Sequence, residues 1–138
     1  MAREGLALIA VQRSDAESAN EQYSFLKSQR GNQLGPATSA DRMLGLLAQT
    51  MGSLDDAQTH FEDAVAFCRK AGYVVELAWS LCDYADMLLD PSTSSGRAAE
   101  ENRQKAMQLL DESLQISTEL GMRPLMERVL SRREILKA

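Results

Sequence analysis

Residues 44 to 67 read LGLLAQTMGSLDDAQTHFEDAVAF, and the placing of small and large apolar side chains in that run decides the fold. Gly45 and Ala48 stand three apart, about one helical turn, so they share a face. Past the break at "MGSLDD", residues 51 to 56, Ala57 is followed four residues on by Phe61 and seven on by Ala64. Two helices that cross closely need a notch on one and a side chain on the other to fill it. The lettering recurs along the chain. "RQKAMQLLDES", residues 103 to 113, carries Ala106, Leu110 and Ser113 in the places of Ala57, Phe61 and Ala64, and Ala19, Tyr23 and Leu26 do the same earlier. Ahead of them come Ala7 and Ala10, Gly45 and Ala48, then Cys82 and Ala85, so the units repeat at 38 and 37 residues. A helix pair written at that period is the mark of a helical-repeat array.

Punctuation cuts the chain into seven helical segments. The cuts fall at "RSD" (13 to 15), "RGNQLGP" (30 to 36), "MGSLDD", Gly72, "DPSTSSG" (90 to 96) and "GMRP" (121 to 124). Ser53 is placed to cap the helix after it. Gly72 and Gly121 suit the left-handed residue just past a helix end. Pro124 fits a first turn, whereas Pro91 stops the helix before it and opens a Ser-rich stretch expected to be an exposed, flexible insert over residues 90 to 97. No sustained alternation rich in Val, Ile and Thr argues for a strand. The expectation is an all-α, right-handed solenoid of helical hairpins forming one domain over residues 1 to 138. Its units run roughly over 3 to 30, 37 to 71 and 73 to 120, with a C-terminal helix over 123 to 137.

Composition narrows the function classes. With 44% hydrophobic and 25% charged residues the chain is globular rather than disordered. A formal charge of -5 argues against nucleic acid, because phosphate binding needs clustered Lys and Arg. The apolar run "LALIAV", residues 6 to 11, is too short for a membrane span, so a cytoplasmic protein without membrane contact is expected. Cys68 and Cys82 are too few for a disulfide framework and lack metal-binding spacing; they read as small buried hydrophobes. The sole imidazole, His60 in "THFED" at 59 to 63, stands beside Glu62 and Asp63 on a helix. No Ser-His-Asp order, metal-ligand spacing or Gly-rich phosphate loop accompanies it, so His60 is expected on a solvated or half-buried side. No catalytic residue, no metal and no cofactor is expected, and the chain is read as not an enzyme.

The stretch 44 to 67 resembles a tetratricopeptide repeat, with Leu44, Gly45, Ala57, Phe61 and Ala64 on the pattern and Ala48 where the pattern usually has Tyr. More closely, "ADRMLGLLAQTMG", "HFEDAVAFCRKAG", "DYADMLL" and "LLDESLQISTELGMRPLMERVL" resemble the tetratricopeptide-like C-terminal region of large bacterial signalling ATPases, which are fused to nucleotide cyclase or LuxR-type DNA-binding domains. The resemblance spans roughly residues 6 to 136. It implies a non-catalytic interaction module in signalling or transcriptional regulation, either an arm of a larger protein or a free-standing repeat protein. No ATPase or cyclase motif is present in this chain, and the stretch 90 to 102 is longer than the family's usual linker.

In such an array the first helix of each pair lines a concave face. The side chains expected there are Glu4, Leu8 and Val11, then Arg42, Leu46 and Gln49, then Glu76, Trp79, Asp83 and Asp86. That groove is apolar at one end and acidic with an aromatic at the other. Glu76, Asp83 and Asp86 share a helix and are expected as a solvated acidic face rather than an ion site. Trp79 either fills the seam between pairs or anchors a partner's Arg or Lys. Apart from Arg42, the basic and Asn residues that clamp a carboxylate tail in chaperone-binding repeats are missing, so tail binding is not expected. The partner is expected to be a protein. A homodimer through the terminal helices, "LALIAV" and "LMERVLSRREIL", is the second mode.

Overall fold

A computed structural model of the protein describes residues 2 to 32, 39 to 93 and 96 to 137. The described residues form seven α-helices and no β-strand: α1 (Ala2–Gln12), α2 (Ala16–Leu26), α3 (Ala40–Thr50), α4 (Leu54–Ala71), α5 (Val74–Leu88), α6 (Gly96–Glu119) and α7 (Arg123–Lys137). A single 3-10 turn, Lys27–Gln29, extends α2. Every helix packs on the next in the chain, and α3 also packs on both α1 and α5.

Four of the turns close alike. The N–H groups of Asp15, Ser53, Tyr73 and Met122 reach back five residues to the carbonyls of Ala10, Ala48, Cys68 and Ser117, at 2.8 to 3.0 Å. This 6→1 bond satisfies a carbonyl that the ending helix leaves open, and it requires the residue before the donor to be left-handed. Gly72 (φ 75°) and Gly121 (φ 68°) meet that need, as the sequence led us to expect, and so does Gly52. Ser14 takes the same conformation at φ 52° with a side chain in place.

The starts of the helices differ from expectation. Ser53 stands at the start of α4, but its side chain makes no capping bond. The caps that do form are Asp15, whose carboxylate accepts the N–H of Ser18, and Ser39, whose hydroxyl accepts the N–H of Arg42. The expected insert is also shorter than 90 to 97. Residues 91 to 93 are a turn, as a proline after a helix end favours, while α6 begins at Gly96 and absorbs Arg97 and the remainder of the long stretch as extra helical turns. Ser94 and Ser95 lie outside the described residues.

The interhelix seams run through the small residues. Ala7, Ala19, Ala48, Ala57, Ala64, Ala85 and Ala106 are all fully buried. At Gly45 the approach leaves no room for a side chain: a Cβ built there would lie 2.8 Å from the Phe61 ring. That ring is fully buried and stacks on Tyr84 with centroids 6.0 Å apart, so it has no room to retreat. Leu110, Leu125 and Val129 continue this core into α6 and α7. Cys68 and Cys82 are buried free thiols, and burial pushes them up to about 11 and about 12, which suits inert packing residues.

Candidate functional site

Helix α5 writes three carboxylates on one face, Glu76, Asp83 and Asp86, at spacings of seven and three. The expectation of a solvated acidic face is overturned here. Glu76 and Asp83 are only 2% and 3% exposed, and arginines from α3 and α7 close over the row. Arg42 donates from Nε to Glu76 at 3.0 Å and from Nη1 to Asp83 at 2.8 Å. Arg128 donates from Nη2 to Asp83 at 2.8 Å and to Asp86 at 2.6 Å, and Arg132 donates from Nε to Asp86 at 2.8 Å. The backbone N–H of Ser39 adds a 2.6 Å bond to Glu76. Three guanidiniums thus face three carboxylates in an alternating ladder.

Buried ions are tolerated only when they are paired and hydrogen-bonded; every ion of the ladder has a partner, although Glu76 takes both of its bonds on Oε2 and its Oε1 is buried without one. Burial alone would lower the pKa of Arg42. Asp83 and Glu76 outweigh it, so the net shift is upward and the guanidinium stays charged. Arg128 is shifted the same way, with burial opposed chiefly by Asp83. Trp79 sits over this row, with the guanidinium carbons of Arg42 and Arg128 each 6.0 Å from its ring centroid. Trp79 is half-buried against the main core and already has two cations beside it. Of the two expectations for Trp79, packing in a seam and anchoring a partner's cation, the first describes its contacts here, and the cations beside it belong to this chain.

Beside the ladder lies an open cleft of about 370 Å³, lined by Val11, Ser14, Leu46, Gln49, Thr50, Asp83, Asp86, Asp90 and Arg128. Five of the residues expected on the concave face meet there: Val11, Leu46, Gln49, Asp83 and Asp86. The others do not line it. Leu8 points to solvent, and Arg42 and Glu76 are held in the ladder beneath Trp79. The sequence reading missed Arg128, Arg132, Thr50 and Asp90. Its overlooked signal was the pair of arginines four apart on the last helix, a spacing that aims both at one neighbour.

His60 corrects a second expectation. It is 4% exposed rather than solvated or half-buried, and its Nε2 lies 2.8 Å from the Tyr23 hydroxyl. Burial, with the Arg30 charge nearby, holds its pKa below the ordinary imidazole value. Among the described residues no helix is long and apolar enough to cross a membrane. Comparison of the chain with family models, curated proteins and solved structures returns no match in any of the three.

Proposed function

We propose that this chain is a non-catalytic protein-interaction module, a right-handed tetratricopeptide-like solenoid of three helix pairs and a closing helix, resembling the C-terminal arm of bacterial signalling ATPases. The observation that carries the reading is the cleft. Helices α1, α3, α5 and α7 each contribute to one concavity, and Asp83, Asp86 and Arg128 in its wall are tied into ion pairs, which holds that part of the wall rigid, while Asp90 at the edge carries a carboxylate outside the ladder. Val11 and Leu46 offer apolar contact, while Gln49 and Asp90 offer hydrogen bonds. Such a surface suits an extended or helical segment of mixed polarity better than a basic tail. Arg42, engaged by Glu76 and Asp83, leaves no free guanidinium for a carboxylate terminus.

A photo-crosslinking residue at Gln49, compared with one at Glu112 on the outer face of α6, tests the reading. Adducts with a second protein from position 49 and not from 112 support it. Adducts from 112 alone sink it. The second reading, self-association, rests on Leu6 and Ile9 of α1 and Phe25 of α2, which are exposed in the first pair. Light scattering over a concentration series separates the two, since only the second makes mass rise with concentration and fall back on Ile9→Asp.

A further inference from the structure

Away from the cleft, a second polar cluster joins α3, α4 and the turn after α2. Asp41, His60 and Asp63 each present one ligand atom, and these atoms lie within 4.8 Å of one another. We propose that they form a binding site for a divalent transition-metal ion of the zinc type. The donor set is one imidazole and two carboxylates, the nitrogen-and-oxygen mixture that such ions accept, with further positions left for water.

The independent observation is His60 itself. Its Nε2 is engaged by Tyr23, while Nδ1 is buried with no hydrogen-bond partner. A buried polar atom left alone has given up water without a replacement, and a metal bond would satisfy it. In the ligating tautomer Nε2–H donates to the Tyr23 oxygen, which then fixes the ring plane.

The carboxylates are free to serve. Asp41 uses Oδ2 for the Gly31 N–H at 3.0 Å, and Asp63 uses Oδ2 for Arg30 at 3.0 Å, which leaves each an Oδ1. Zinc bonds of about 2.0 to 2.2 Å require the donors to close in from their present spread. Asp63, half-exposed on α4, is the one that moves. Access is through a mouth lined by Arg30, Gly31, Asp41, Asp63 and Phe67, which shares no residue with the cleft. Arg30 is the competing cation.

The test uses the untagged full chain, stripped with a chelator, then titrated with zinc chloride by calorimetry and with cobalt(II) by visible absorption. The ring signals of the one histidine are followed by NMR. We expect one zinc per chain at micromolar affinity, perturbed His60 signals, and no comparable binding of magnesium or calcium. His60→Gln and Asp63→Asn should each weaken binding at least about tenfold, and Arg30→Gln should tighten it. Asp63→Asn is isosteric at a half-exposed position, so it still reports if His60→Gln fails to fold. Any of three results overturns the proposal: no zinc binding up to millimolar, affinity unchanged in Asp63→Asn, or a sulfur-to-cobalt band that places the metal on Cys68 or Cys82.

Discussion

Two ion-paired regions of this molecule use the same chemistry in opposite settings. On the inner side, Asp83 is held between Arg42 and Arg128 and almost sealed from water. On the outer side, Arg69 of α4 and Glu112 of α6 make two parallel bonds of 2.7 Å, a better fork than any single contact in the ladder. Yet their side chains are 51% and 34% exposed. Geometry alone would rank the outer pair first. Solvent reverses the ranking: water screens the outer charges whether or not they are paired, whereas an inner charge without its partner has nothing to replace it.

The largest expected effect follows from the inner region. Asp83→Ala takes one partner each from Arg42, whose side chain is 13% exposed, and from Arg128, at 33%, and should destabilise the fold by about 3 kcal/mol, read as a lower urea midpoint with an unchanged slope. A loss below about 1 kcal/mol would place the ladder with ordinary surface pairs and erase the contrast. The next effect separates packing from charge. Gly45→Ala drives a methyl into the Phe61 ring, and overpacking of that kind typically costs about 1 to 3 kcal/mol. The helix-propensity gain of about 1 kcal/mol for Ala over Gly acts the other way. In a Phe61→Leu background the clash is relieved, so Gly45→Ala should become neutral or stabilising. Additive effects in that double-mutant cycle would show that the seam is not where the two helices meet.

A smaller effect concerns a buried titratable group outside the ladder. His60 has a folded pKa below its ordinary 6.5, so the unfolded chain binds the proton more readily. The contribution of neutral His60 is whole above that value and is lost as pH falls through it toward the folded pKa. Stability measured on the acid side of 6.5 should therefore decline in the native chain and decline less in His60→Gln. An identical slope in both would remove the assignment. The smallest effect belongs to the outer pair. Glu112→Ala should cost no more than about 1 kcal/mol, and the difference should vanish in 1 M salt, where the screening length is about 3 Å.

Much of the architecture was legible because it is periodic. Gly45 and Ala57 could be placed on facing sides of one helix pair from spacing alone, although it is the Phe61 ring, one turn on from Ala57, that Gly45 meets, and Gly72 and Gly121 announced their turns by residue type. Ser14 could not be read as a left-handed turn residue, since serine does not ordinarily take that role; the bond from Asp15 to Ala10 places it there. The candidate site divides along the same line. That Glu76, Asp83 and Asp86 share a face follows from helical geometry. What faces them does not: Arg42 and Arg128 lie 41 and 45 residues from Asp83 in the chain, and only the fold, which sets α3 and α7 within ion-pair reach of α5, brings them in. Asp41 and His60 were separated by a turn in the same way, so a helix face that looked solvated became an interior corner.

The ladder also bears on how the molecule comes apart. A stack of hairpins held only by neighbouring contacts can fray from either end, each unit opening at its own free energy. Here Asp83 receives one arginine from α3 and another from α7, so peeling off the last helix strips a buried carboxylate that the middle hairpin also depends on. The C-terminal helix is thereby bound into the same opening event as α3 and α5. Helices α1 and α2 pack on α3 but contribute no ion pair to the ladder. Amide exchange should accordingly show two classes of protection, with the first hairpin free to open locally and everything from α3 onward surrendering its slowest protons together.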